Sequence, residues 1–202
     1  MEKNFLVIPQ MLLIGSSGRN SGKTTLAIAL IQKWKCKFPI IALKVTTIQE
    51  KNGKCPRGGE GCGVCSNIKG NFEILEEINR DGNKDTSHLL ASGAEKVYWL
   101  KTLKTHSYEG IMAFMTNFSR DSLIICESNS LRKVVRPGTF IMIDNPTNAI
   151  MKKSASEVIR KADMIIDYDF RNNISTLIEK LKIDKSQGKT GNTKYHIRCN
   201  KL

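Results

Sequence analysis

The sequence predicts a three-layer α/β fold, a mostly parallel β-sheet with helices on both faces. Three observations carry this. Short apolar runs alternate with segments of helical period along most of the chain. The apolar runs are apolar on consecutive residues, so both faces of each strand are buried, as in parallel sheets. The first clear run ends in a glycine-rich turn that opens directly into a helix.

Taken in order, residues 1–10 read as a lead-in and Met11–Gly15 as the first strand. The turn Gly15-Ser-Ser-Gly-Arg-Asn-Ser-Gly-Lys-Thr-Thr25 follows. Leu26, Ala27, Leu30, Ile31 and Trp34 then share one helical face, and Pro39 closes that segment. Ile40–Val45 reads as a buried strand ending in Thr46 and Thr47. Residues 49–69 break the rhythm: they are rich in Gly, Lys and Cys and poor in core residues. Phe72, Leu75 and Ile78 fit a short amphipathic helix, and residues 86–92 another turn or two of helix. Val97–Leu100 is β-prone, and Tyr108, Ile111, Met112, Met115 and Phe118 fit a helix face. Leu123–Cys126 and Phe140–Ile143 are apolar strands ending in Glu127 and Asp144. Ser154 and Glu157 have capping-box spacing ahead of Val158 and Ile159. Met164–Ile166 is a further strand, and Ile174, Leu177, Ile178 and Leu181 make a last helix. Residues 1–183 are thus expected to form one domain with a cysteine-rich insertion at 49–69, and 184–202 a basic, mobile tail.

The turn implies chemistry. Glycines let a backbone wrap so that successive N–H groups point at phosphate oxygens, and a helix N-terminus adds unpaired donors and partial positive charge. Gly22-Lys23-Thr24 matches the end of the pattern G-x-x-x-x-G-K-[ST], with Ser17 at its first position. The expected phosphate-binding residues are Gly18, Asn20, Ser21, Gly22, Lys23, Thr24 and Thr25. Lys23 would reach the β- and γ-phosphates, and the Thr24 hydroxyl would hold Mg²⁺. Ligands of open α/β sheets lie beyond the carboxyl ends of the strands, which singles out Lys44, Thr46, Thr47, Glu127 and Asp144. Leu123–Glu127 is Walker-B-like, so Glu127 would hold Mg²⁺ or orient an attacking water. Asp85 would add a second carboxylate.

The cysteines divide. Cys55, Cys62 and Cys65 fall in the insertion, where Cys62-x-x-Cys65 has the spacing of a knuckle for Zn²⁺ or an iron–sulfur cluster. Free thiols or a redox pair is the other reading of the same residues. The fourth ligand is open among His88, Cys36, a second subunit and a small ligand.

Composition bounds the partners. The 202 residues carry a formal charge of +13, which favours acidic partners, a nucleotide first and then an acidic protein or nucleotide-tailed cofactor. The basic residues are spread and lack the aromatic interleaving of a nucleic-acid platform. No apolar run has the length of a membrane span and the N-terminus lacks a signal pattern, so a cytoplasmic location is the expectation.

The segments N-S-G-K-T-T-L (20–26), A-L-K-V-T-T (42–47), K-D-T-S-H-L-L-A-S-G-A-E-K-V-Y-W-L (84–100) and L-I-I-C-E-S-N-S (123–130), in this order, resemble the MobB-type family of molybdopterin-guanine dinucleotide biosynthesis proteins. More broadly they resemble the SIMIBI-like P-loop NTPases, which include dethiobiotin synthetase and nucleotide-dependent metallochaperones. The resemblance implies binding of ATP or GTP with Mg²⁺ through Ser21–Thr25, with Lys44, Asp85 and Glu127 facing the phosphates, and a possible homodimer. It also implies handling of a metal or of molybdenum cofactor. Where the family has a His-rich run after the second-strand lysine, this chain has Val45-Thr46-Thr47, and no N-K-x-D guanine-reading motif is present. Two further functions fit the same residues. One is a small-molecule kinase or ligase with Lys44 on the substrate's oxyanion and Arg132, Lys133 and Arg136 as a mobile basic lid. The other is a nucleotide-binding adaptor with negligible turnover.

Overall fold

Strand β1 (Leu6–Ser16) sits deep inside a seven-stranded sheet because it is apolar on both faces. Met11 and Leu13 face one core cluster and Leu12 and Ile14 the other, and all four are fully buried. The computed structural model describes residues 5–18, 20–49, 68–116, 121–145, 151–187 and 193–199. Its elements are β1, α1 (Lys23–Trp34), β2 (Ile40–Ile48), β3 (Phe72–Glu76), α2 (Asp85–Ala91), β4 (Lys96–Leu103), α3 (Ser107–Thr116), β5 (Leu123–Glu127), β6 (Val135–Asp144), α4 (Lys153–Ser156), β7 (Met164–Asp167), α5 (Ile174–Lys180), β8 (Leu181–Gln187) and β9 (Thr193–Cys199).

The sheet order is β3-β4-β2-β5-β1-β6-β7, and every pairing but β3 with β4 is parallel. The expected three-layer α/β fold is therefore present. Helices α1 and α2 cover one face through Leu26, Leu30, Ile31, Trp34, Leu89 and Leu90. Helix α3 and the segment around α4 cover the other through Ile111, Phe114, Ala155 and Val158. Among the described residues no helix is long and apolar enough to cross a membrane.

The structure departs from the sequence expectations in four places. Strand β1 starts at Leu6, so residues 6–10 of the lead-in are strand: Leu6 to Ile8 pair with Val135 to Pro137. Phe72, Leu75 and Ile78 are not a helix face. Phe72 and Ile74 alternate toward the core while Phe72–Glu76 pairs antiparallel with β4, and Ile78 is 85% exposed. Ser154 and Glu157 form no capping box. Glu157 pairs with Lys133, and Ser154 Oγ accepts from Asn129, so both side chains are engaged elsewhere and α4 is one turn long.

The fourth departure is the C-terminus. Leu181–Gln187 and Thr193–Cys199 pair as an antiparallel hairpin, where a mobile tail from Asp184 was expected. Tyr195 is the reason. It is 1% exposed, meets Phe38 edge-on at 5.4 Å, and donates its hydroxyl hydrogen to the Asp121 carbonyl. Lys33 on α1 also donates to the Ile178 and Leu181 carbonyls, tying α5 and the hairpin's start to the body. Polar composition hid this anchor, because one buried ring among charged residues leaves no periodic signal.

Tyr195→Ala is expected to lower unfolding free energy by about 3 kcal/mol, the usual cost of emptying a buried aromatic site. Urea denaturation checks it: an unchanged midpoint would mean that the hairpin contributes nothing to the body's stability.

Candidate functional site

The parallel strands end along one rim, and the turn after β1 lies on it. Helix α1 begins at Lys23, with Gly22 as its N-cap at φ 83°. That left-handed conformation suits glycine, and a Cβ there would come within 3.0 Å of the Phe170 ring. Asn20 also has positive φ, 51°. The Lys23 ammonium donates to Ser16 Oγ at 2.7 Å, and Ser16 Oγ donates to the Gly18 carbonyl at 2.9 Å. Lys23 thus folds back over the turn it anchors. Ser21 is buried and Thr25 exposed.

The turn is framed by residues that the motif does not contain. The Asn129 amide brackets Ser16, accepting from its N–H at 2.8 Å and donating to its carbonyl at 2.9 Å. Gly15 allows this approach, since a Cβ there would lie 2.8 Å from Asn129 Oδ1. Ser17 Oγ accepts the Asn145 N–H at 2.7 Å. Lys152 donates its N–H to the Ser17 carbonyl at 3.0 Å and its ammonium to the Gly18 carbonyl at 2.6 Å. Sequence reasoning missed Ser16, Asn129, Asn145, Lys152 and Phe170. Asn129 and Asn145 share with Glu127 and Asp144 the signal of polarity at a strand end, while Lys152 and Phe170 carry no such signal.

Glu127 ends β5 between β1 and β2, opposite Ile14 on one side and Lys44 on the other. It is 4% exposed. Thr24 donates its hydroxyl hydrogen to Glu127 Oε2 at 3.2 Å, while buried Oε1 has no hydrogen-bond partner among the described residues. Burial pushes the Glu127 carboxyl above its ordinary range. Asp85 pushes the same way, and Lys23, Lys44 and the Thr24 hydroxyl pull it down. Lys44 forms an ion pair with Asp85, the first residue of α2. The structure therefore brings Lys23, Thr24, Lys44, Asp85 and Glu127 into one interacting group.

That donor set fits a divalent cation. Carboxylate and hydroxyl oxygens are the ligands Mg²⁺ takes, and an orphaned buried carboxylate oxygen is the atom such an ion would satisfy. Thr24 and Glu127 would hold it.

Other candidates stand apart. Asp144 is half-buried at the end of β6, opposite Asp167. Arg132 is not free to act as a lid: it donates to the Val135 carbonyl and lies over the Phe5 and Phe140 rings. Cys55, Cys62 and Cys65 lie outside the described residues. Cys36 is exposed after α1, at the amino end of β2, whereas the insertion leaves from the carboxyl end.

No family model matches the chain. No curated protein matches it either. Among solved structures it is similar to LpxK from Aquifex aeolicus, crystallised in complex with ATP, at a TM-score of 0.51 and 13% identity. The likeness covers 83% of this chain and 51% of that one, so the chain spans about half the length of LpxK. At such identity the likeness speaks to the fold, a three-layer arrangement of the P-loop NTPase type.

The Glu127 environment sets a pH dependence. A carboxyl with a raised folded pKa binds its proton more tightly folded than unfolded. Its ionisation therefore costs stability as pH rises from the unfolded carboxylate range through the folded value. In nucleotide-free protein, Glu127→Gln is expected to be more stable than the parent at pH 7.5, with the gap closing at pH 4. Urea midpoints at the two pH values measure it, and a variant less stable at pH 7.5 would contradict the balance described.

Proposed function

We propose that the chain binds a nucleoside triphosphate with Mg²⁺ at the Ser16–Thr25 turn and transfers its terminal phosphoryl group, to water or to a small acceptor. The observation that supports this most is the Thr24–Glu127 contact, with a buried carboxylate oxygen that has no partner among the described residues, beside Lys23. ATP is the favoured nucleotide: the structural neighbour was crystallised with it, and no N-K-x-D motif offers a guanine reader.

In this reading the turn's amides and the Lys23 ammonium neutralise phosphate charge, and Lys23 exchanges Ser16 Oγ for a phosphate oxygen. Thr24 and Glu127 would hold Mg²⁺, which would supply positive charge against the charge developing on the leaving group. In the transfer, the bond from the γ-phosphorus to the β,γ-bridging oxygen breaks. A bond from the acceptor oxygen to that phosphorus forms, and the acceptor's proton leaves to solvent. Lys44 lies beside Glu127, on the side away from β1, where it can stabilise the transferring group or the acceptor. Asp85 holds Lys44 in place until phosphates arrive.

Lys23→Ala is expected to weaken Mg·ATP binding at least about a hundredfold, and Thr24→Ala about tenfold with loss of most of the Mg²⁺ dependence. Calorimetric titration with ATP and with GTP, each with Mg²⁺ and with EDTA, measures both effects and the base preference. Binding of neither nucleotide by the parent chain would end this reading.

The cysteine insertion supports a second element, coupling of nucleotide state to metal or cofactor handling. Its basis is the knuckle spacing of Cys62 and Cys65 and its departure from the carboxyl end of β2, on the same rim as the turn. Protein purified anaerobically is expected to hold zinc or iron that Cys62→Ser loses. Metal-free parent protein would leave the insertion without that role.

A further inference from the structure

The carboxyl ends of β2 and β4 carry a cluster that extends beyond the nucleotide site, from Lys44 to Trp99 and Lys101. Strand alternation sets Lys44, Thr46, Trp99 and Lys101 on one face, the face whose core holds Ala42 and Val97. Lys44 stands opposite Trp99, and Thr46 opposite Lys101. The Trp99 indole N–H donates to Thr46 Oγ1 at 2.9 Å, which fixes the ring. The Lys101 ammonium lies 4.7 Å from the ring centroid and the Lys44 ammonium 6.0 Å. One indole thus gathers two positive charges.

Neither charge is in a final-looking arrangement. Lys101 is 8% exposed, and Glu73, directly across from it on β3, is 3.4 Å away, at the long end of a charge-assisted contact. A desolvated ammonium held by one distant carboxylate gains from any oxyanion that can approach it. Lys44 shares its ammonium with Asp85, which is half-exposed and able to turn away. Along the row running across the sheet, Trp99 is opposite Lys44 and Lys44 opposite Glu127. Two strand spacings, roughly 10 Å, therefore separate Trp99 from the carboxylate at the phosphate end. That suits a small molecule with a reactive hydroxyl at one end and an anionic group at the other.

We propose that Lys101 and Lys44, gathered on the Trp99 ring at the rim of β2 and β4, bind the oxyanion group of a small acceptor, a phosphate ester or a carboxylate. This rests on the phosphoryl-transfer reading above and gives that reading its substrate class. Lys101 and Lys44 hold the anion. Trp99, through Thr46 and its ring face, positions both ammonium groups. Glu73 and Asp85 are the anions that the acceptor displaces.

A purely structural Glu73–Lys101 pair, stapling edge strand β3 to β4, has a different signature. Removing Glu73 would then loosen the edge and improve binding of nothing. In the proposed site, removing Glu73 takes away a competitor.

The test uses the full chain saturated with Mg²⁺ and a non-hydrolysable ATP analogue, so that the γ-phosphate position is filled. Tryptophan fluorescence is titrated at constant ionic strength with inorganic phosphate and, separately, with acetate. A saturable change with one of the two is expected, and which one responds identifies the source of the oxyanion. Lys101→Met, which keeps the apolar stem, should weaken that binding at least about tenfold, while Glu73→Gln should strengthen it. Analogue affinity in both variants should stay within about twofold of the parent. No saturable signal with either anion, or equal affinity in Lys101→Met, overturns the proposal. Weaker binding in Glu73→Gln assigns the pair to the edge strand and also overturns it. Failure of the analogue to bind the parent chain would instead remove the phosphoryl-transfer reading. The same titrations on nucleotide-free protein would then decide, through their dependence on Lys101, whether the oxyanion site stands alone.

Discussion

Placing a carboxylate at the buried end of β5 is the constraint on which the rest of the site depends. Glu127 is 4% exposed, and taking such a group out of water is costly unless charge and hydrogen bonds compensate. The compensation comes from three residues on two elements. Thr24 comes from the first turn of α1, Lys23 from its first position, and Lys44 from the adjacent strand β2. These arrive together because β1, β2 and β5 run parallel and end on one rim, so one register sets all of them. The compensation is incomplete, since Oε1 has no partner among the described residues. A buried carboxylate oxygen of this kind is one that a divalent cation would satisfy.

The turn itself is held from outside. A glycine at the first motif position would leave the Asn145 N–H without the acceptor that Ser17 Oγ supplies at 2.7 Å. The substitution of Ser for Gly is thus tied to the chain that follows β6, and so is Lys152, which donates twice to the turn's carbonyls. Asn129 does the same for Ser16 from the chain that follows β5. The turn's shape is therefore imposed by two other strand ends and does not depend on glycine content alone. Such framing pre-organises the amides, so that less is lost in ordering them when an anion binds.

This explains what the sequence could and could not reveal. Strands β2, β5 and β6 are legible because burial on both faces leaves uninterrupted apolar runs, and β7 shows the same run in Met164–Ile166 although Ile165 is exposed. Lys44 and Glu127 are legible because each sits in or beside such a run, and Lys23 and Thr24 because they complete the G-K-[ST] pattern of the turn. Asn129 and Lys152 act on Ser16 and Gly18 from 113 and 134 residues away, and no local pattern marks them. Strand β3 was read as helix because Phe72, Leu75 and Ile78 fit a period of three in too short a window, and only pairing with β4 decides between periods. Tyr195 shows the limit from the other side: a hairpin of polar residues is anchored by one ring whose site is built by Phe38 and the Asp121 carbonyl.

The positive charge of the chain reads differently once its placement is known. Spread along the sequence, 32 Lys and Arg residues suggest a solvated surface. In the fold, Lys23, Lys44, Lys101 and Lys152 converge on the carboxyl rim of the sheet, and each is buried or half-buried there. Each leans on an oxygen of the protein itself: Ser16 Oγ, Asp85, Glu73 and the Gly18 carbonyl. Oxygens of this kind are what phosphates and other oxyanions would replace one for one, with little rearrangement of the lysines. A rim that satisfies its cations internally stays folded when empty, because no buried charge is left alone. It can also exchange those partners for a ligand's oxygens without first paying to desolvate the ammonium groups. Under the proposed phosphoryl transfer the internal pairs would play two parts: they partner the lysines in the fold itself, and they would hold them where a ligand's oxyanions could take the place of those partners.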